Sequence, residues 1–93
     1  MSDIVDETAG ERFVLVEDGQ TAELVYHVHG NRFTLIHTEV PDALEGRGIG
    51  GRLVRAALER AKRDDMTLVP SCPFARSWLK KHRDELDGVT IDW

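Results

Sequence analysis

The chain predicts an α/β fold: an antiparallel three-stranded meander, a helical crossover to a parallel fourth strand, and then a second helix. Three observations carry this prediction. Apolar residues recur with a period of two from Phe13 to Val40, the period becomes helical from Ile49 to Ala61, and a short apolar run, Met66-Thr67-Leu68-Val69, follows that single helix. At 93 residues there is room for one domain with one modest core.

Residues 1–10 hold few apolar side chains and several acids, so they are expected to form a flexible tail, leaving 11–93 as the folded domain. Phe13 and Leu15 then alternate with Val14 and Val16. Asp18-Gly19 is a strong hairpin turn, after which Ala22, Leu24, Tyr26 and Val28 alternate with Glu23, Val25, His27 and His29. A second turn at Gly30-Asn31 launches Arg32 to Val40. Unbroken alternation there places Phe33, Leu35, His37 and Glu39 on one face and Thr34, Ile36, Thr38 and Val40 on the other.

In the first helix, Ile49, Leu53, Val54, Ala57, Leu58 and Ala61 form one apolar stripe, and Arg52, Arg55, Glu59, Arg60 and Arg63 are expected to face water, with Glu59 and Arg63 spaced as an i,i+4 pair. Asp64-Asp65 ends the helix. The strand from Met66 to Val69 lies one helix beyond the third strand, which calls for a right-handed parallel crossover and makes the two neighbours. Pro70 blocks its extension, Ser71 or Cys72 can cap the second helix, and Pro73 suits that helix's first position. Phe74, Trp78 and Leu79 are expected on its inner face. In the tail from Gly88 to Trp93, Val89, Ile91 and Trp93 alternate, as either an added strand or a cover for the core.

Seventeen acidic against twelve basic residues give a net charge of -5, which argues against a general nucleic-acid binder. The acidity is accounted for by solubility ahead of any preference for a cationic ligand. The single cysteine, Cys72, excludes an internal disulfide and fits a reducing compartment. No apolar run approaches membrane-spanning length and the start Met1-Ser2-Asp3 lacks a signal-peptide pattern, so a cytoplasmic protein without nucleic-acid or membrane partners is expected. His27 and His29, with His37 and Cys72 nearby, lack the second close-spaced pair of a metal site, and no metal is expected.

The segment from Thr38 to Leu53 is the most informative. A strand halts at Pro41, a short loop follows, and a helix is entered through Gly46, Gly48, Gly50 and Gly51. Glycines admit a ligand close to the backbone, and a helix start offers unpaired N–H donors and the positive end of its dipole, so the segment reads as an anion cradle with Arg47 and Arg52 at its rim. It is no P-loop, because Arg52 and Leu53 stand where lysine and a hydroxyl residue would be needed. A dinucleotide site is disfavoured too, since the strand ending at Val69 continues as Pro70-Ser71-Cys72 without a carboxylate for the ribose.

Val40-Pro41 followed by Gly46-Arg47-Gly48-Ile49-Gly50 resembles the acetyl-CoA signature of the GNAT acetyltransferases, (Gln/Arg)-x-x-Gly-x-(Gly/Ala), with Glu45 in place of the preferred Gln or Arg. Together with Pro70-Ser71-Cys72-Pro73-Phe74 and Trp78-Leu79-Lys80-Lys81-His82, it resembles the small, single-domain branch of that superfamily over residues 26–83. The resemblance implies a minimal GNAT fold in which the third and fourth strands splay. It also implies acetyl-CoA, with Thr38, Glu39, Val40 and Pro41 beside its pantetheine arm and the backbone from Gly46 through Arg47, Gly48, Ile49, Gly50 and Gly51 to Arg52 around its pyrophosphate. The activity implied is acetyl transfer to an amine, either a protein side chain or a small polyamine. A CoA-binding module without turnover is the rival reading.

Transfer to an amine needs a base, donors for the oxyanion and a proton for the departing thiolate. Histidine is the residue type suited to taking up a proton near neutral pH, so His37 is a candidate base, whose plain alternative is a half-buried strand histidine; Glu39 is a second candidate. Cys72, at an expected helix N-terminus beside the cleft, is a candidate nucleophile, proton donor or simple packing residue. Lys80, Lys81 and His82 complement the dipole at the end of the second helix or reach the adenosine phosphates.

Overall fold

A computed structural model describes residues 3–93. The elements are β1 (Ile4–Glu7), β2 (Arg12–Glu17), β3 (Gln20–His29), β4 (Arg32–Glu39), α1 (Ile49–Arg63), β5 (Thr67–Pro70), α2 (Pro73–Lys81) and β6 (Thr90–Ile91), with short 3-10 turns between some of them. The strands form one sheet in chain order, β1 to β4 antiparallel and β4, β5 and β6 parallel. The expected meander, crossover and second helix are all present. Residues 90 and 91 settle the tail: it adds a strand, and Asp92 holds it by donating its N–H to the Leu68 carbonyl and pairing with Arg32.

Both helices pack on one face of the sheet. That face carries Phe13, Leu15, Ala22, Leu24, Tyr26, Phe33, Leu35 and Leu68, which meet the predicted stripe of α1, all of it buried. Among the described residues the opposite face has no second layer, and Val5, Val16 and Ile36 are exposed there. Helix α1 closes with the N–H of Met66 on the Ala61 carbonyl and that of Asp65 on the Lys62 carbonyl, with Asp65 left-handed at φ 54°.

Four expectations are corrected. The tail expected over residues 1–10, of which Met1 and Ser2 lie outside the described residues, contains β1: Ile4 and Val5 pair with Leu15 and Val14. Its anchor is a polar network, in which the Tyr26 hydroxyl donates to the Asp6 carboxylate and Arg60 donates to both, at 3.0 Å from Asp6 and 2.7 Å from Tyr26. Arg60 therefore turns from water toward the sheet, lying 5.2 Å from the ring centres of both Tyr26 and Phe33. Arg63, expected to pair with Glu59, bonds Asp64 instead.

The fourth correction concerns the faces of β4. Tyr26 pairs with Leu35 but Val25 pairs with His37, so Ile36 is an extra residue and β4 bulges there. The bulge reverses the alternation. Thr38, opposite the buried Leu24, and Val40 turn to the helix side, whereas His37 and Glu39 turn to the bare face.

Candidate active site

Parallel pairing between β4 and β5 ends at Leu35 and Pro70, and the N–H of Cys72 takes the Leu35 carbonyl at 2.9 Å. Beyond that point the chain of β5 leaves for α2, and among the described residues the edge of β4 from Ile36 onward has no strand beside it. A cleft of about 420 Å³ opens in the splay. Thr38 of β4 and Val40 just past its end form one side, the backbone of Gly46 and of Gly48 to Gly51 forms the other, and Leu44, Ile49 and Phe74 supply apolar surface.

The start of α1 is built for an anion. Its cap is Gly48, left-handed at φ 73°; no side chain caps the first turn and no acid lies in it, so those N–H donors are left for a ligand, although Glu45 of the preceding loop also lines the cleft. Gly46 is also left-handed, at φ 80°, and a Cβ at either residue would meet nothing within 4 Å. Their role is conformational. Gly50 and Gly51 have a different reason: a Cβ would lie 2.7 Å from the Phe74 ring at residue 50 and 2.6 Å from Trp78 Nε1 at residue 51. They let α2 close on α1, and the space read from the sequence as clearance for phosphate is filled by aromatic rings. The loop itself is pinned by Leu44, fully buried in a 3-10 turn whose N–H donates to the Pro41 carbonyl. This anchor escaped the motif reading, although a lone leucine in the polar run Pro41 to Gly46 was its signal.

The rim arginines are placed differently from the expectation. Arg47 bonds Glu17 and Asp18 of the β2–β3 hairpin, both at 2.8 Å, and so ties loop to hairpin. Arg52 is half-buried on the first turn of α1 and is not among the residues walling the cleft. Phe74, expected in the core, is 46% exposed and walls the cleft. Trp78 is half-buried, its ring stacked on His82 with centroids 3.8 Å apart and approached by Arg55 at 5.1 Å.

The three candidates for chemistry divide between the two faces. His37 and Glu39 stand on the bare face, Nε2 and Oε2 3.5 Å apart, with side chains 60% and 68% exposed. Glu39 and Pro41 line a shallow recess of about 290 Å³ there, with Arg12, Thr21 and Glu23. Cys72 caps α2 on the other face and is buried at 3% exposure. Its Sγ lies 3.4 Å from the Oγ1 of Thr38, which does reach the cleft. His27 pairs with Glu11, and among the described residues no cluster of three or more His, Cys, Asp or Glu could hold a metal ion. No helix among them is long and apolar enough to cross a membrane.

A mixed sheet that splays beside a glycine-led helix defines a GNAT-type domain. Residues 12–88 match the GCN5-related N-acetyl-transferase family, and the chain belongs to it. The NMR solution structure of a GCN5-like protein from Staphylococcus aureus superposes with a TM-score of 0.74 at 29% identity, over 98% of this chain and 90% of that one. Protein NATD1 of Gallus gallus and of Mus musculus is 39% identical over 62 residues, 66% of this chain and 56% of theirs. The Homo sapiens protein of that name shows the same identity over 55% of its length. The chain thus spans little more than half the length of these relatives.

Proposed function

We propose that the protein is an acetyl-CoA-dependent N-acetyltransferase whose amine acceptor approaches from the bare face of the sheet. The observation that carries the reading is the conjunction of an uncapped helix start with an unpaired strand edge along one cleft. An anion at the start of α1 would meet the N–H groups of its first turn, and an extended arm would lie along the backbone of Thr38 to Val40, where N–H and C=O groups lack a neighbouring strand. These residues fit acetyl-CoA, which when bound supplies the activated acetyl group.

Pro41, on the bare-face recess, marks the end of that edge. At the splay, His37 accepts the acceptor's proton from the bare face, with Glu39 within ion-pair distance to orient its ring. Glu39 in the recess favours a cationic acceptor, Glu23 there being paired with Arg12 at 2.8 Å, and the open surface suits a protein side chain or a small polyamine. Direct attack by the amine is favoured over an acyl-cysteine, because Cys72 is buried behind Thr38.

Acetyl-CoA should raise the melting temperature, because a ligand that binds only the folded state stabilises it by mass action. Gly48→Val, which forces a side chain into a left-handed conformation at the cap, should abolish that rise. No shift in melting temperature or amide NMR signals with millimolar-order acetyl-CoA would refute the reading. A shift without turnover of any offered amine would leave only the non-catalytic module.

A further inference from the structure

We infer that Thr38 is the proton donor to the leaving sulfur and that Cys72 acts through it, as the buried reserve that resupplies Thr38; this rests on the acetyl-CoA reading above. Four observations converge on the pair. The bulge at Ile36 turns Thr38 into the cleft, where unbroken alternation would have turned it to the bare face. Its Oγ1 is 3.4 Å from Cys72 Sγ, within hydrogen-bond range for sulfur. Cys72 is 3% exposed and does not wall the cleft, so a group in the cleft meets the hydroxyl before the thiol. Finally, the N–H of Cys72 is bound to the Leu35 carbonyl at the last rung of the β4–β5 ladder, which fixes the thiol at the point where the strands part.

The transfer balances. As the carbon–sulfur bond of the thioester breaks, its electron pair passes to the CoA sulfur and the Thr38 hydroxyl gives its proton to that sulfur. The Cys72 thiol gives its own proton to Thr38 Oγ1. Cys72 is left as a thiolate at the cap of α2, where the first-turn N–H groups suit a transient negative charge. The proton released by the amine returns to Cys72 through solvent and Thr38, and nothing is oxidised or reduced. Thr38 would touch the reacting sulfur and is the catalytic residue of the pair; Cys72 is a positioning residue that holds a proton.

The decisive experiment needs no acceptor. The thiol of CoA itself is titrated by its thiolate absorbance in the protein complex, with the free protein subtracted. In wild type, a hydroxyl donating to the sulfur should lower the pH of ionisation by about one unit or more relative to free CoA. Thr38→Val, nearly isosteric, should abolish the displacement, and Thr38→Ser should keep it. With spermidine as probe acceptor, Thr38→Val should lower kcat roughly 10²-fold with KM for acetyl-CoA little changed, Thr38→Ser should restore it, and Cys72→Ala should lower kcat.

The same titration in wild type and Thr38→Val, with CoA still stabilising both, would overturn the relay and leave the acetyl-CoA reading intact. An acetyl group trapped on Cys72 by rapid quenching would overturn it in favour of a covalent route. CoA that stabilised neither protein would remove the acetyl-CoA reading and the relay together. Melting of each variant without CoA separates folding defects from all of these.

Discussion

Gly51→Ala should destabilise the protein even though it replaces the poorer helix former with the best one. In a helix interior that exchange is worth about 1 kcal/mol in favour of alanine, and less in a first turn. The contact works against it. The new Cβ would lie 2.6 Å from Trp78 Nε1, where ordinary contact begins at 3.4 Å, so the indole must move. It is poorly placed to do so: His82 stacks on it at 3.8 Å, and Arg55 lies against it while bonded to Glu85 through Nε at 2.8 Å and Nη2 at 2.9 Å. Overpacking of this kind costs about 1–3 kcal/mol, which leaves a net loss of up to about 2 kcal/mol after the helical gain. For a domain of this size the melting temperature should fall by up to about 15 °C. Gly50→Ala is the control. Its Cβ would strike the Phe74 ring at 2.7 Å, but that ring is 46% exposed and free to swing outward, so stability should hold or rise by up to about 1 kcal/mol. Thermal unfolding followed by circular dichroism measures both, with tryptophan fluorescence reporting on Trp78. If Gly51→Ala melted at or above wild type, or Gly50→Ala fell equally far, the contact would not be what these glycines serve.

Tyr26 is the single tyrosine, and burial, with the hydrogen bond to Asp6 next, pushes its phenol up to about 12 from 10.0. Because the folded form holds its proton more tightly, this contribution, on the order of 2–3 kcal/mol, is complete below about pH 10 and is lost as pH rises toward 12; tyrosinate absorbance appearing in the native protein near the ordinary value would contradict it. His37→Ala should lower turnover roughly 10²-fold while leaving the acetyl-CoA-induced rise in melting temperature unchanged, since the side chain is exposed and does not wall the cleft; loss of that rise with turnover preserved would make His37 a binding residue.

Local pattern carried most of the fold. The alternation of Phe13 to Val28, the turn at Asp18-Gly19 and the stripe from Ile49 to Ala61 are each set by neighbours in sequence, and each is found where the pattern puts it. What escaped depends on partners far along the chain. Ile4 and Asp6 form a strand because Leu15, Tyr26 and Arg60 wait for them, and nothing in residues 1–10 announces those partners. Gly50 and Gly51 look like a phosphate loop until the rings of Phe74 and Trp78 are seen against them. The bulge has no local signal: Leu35 and Ile36 are adjacent apolar residues, but so are Phe13 to Val16, which pair in regular register. Missing it reversed the faces of His37, Thr38 and Glu39, so a single extra residue decided which members of the candidate site look into the cleft.

A sheet one layer thick on one side also has an evolutionary consequence. At the end of β4 successive residues address opposite half-spaces, Thr38 and Val40 the cleft and His37 and Glu39 the open surface. Drift at His37, Glu39 or Glu23 leaves the walls of the cleft untouched, and drift at Gly46 or Gly48 leaves the open surface untouched. The two sides can therefore diversify separately, with the strand itself as a partition. A copy of this gene could remodel its open surface while inheriting the cleft intact.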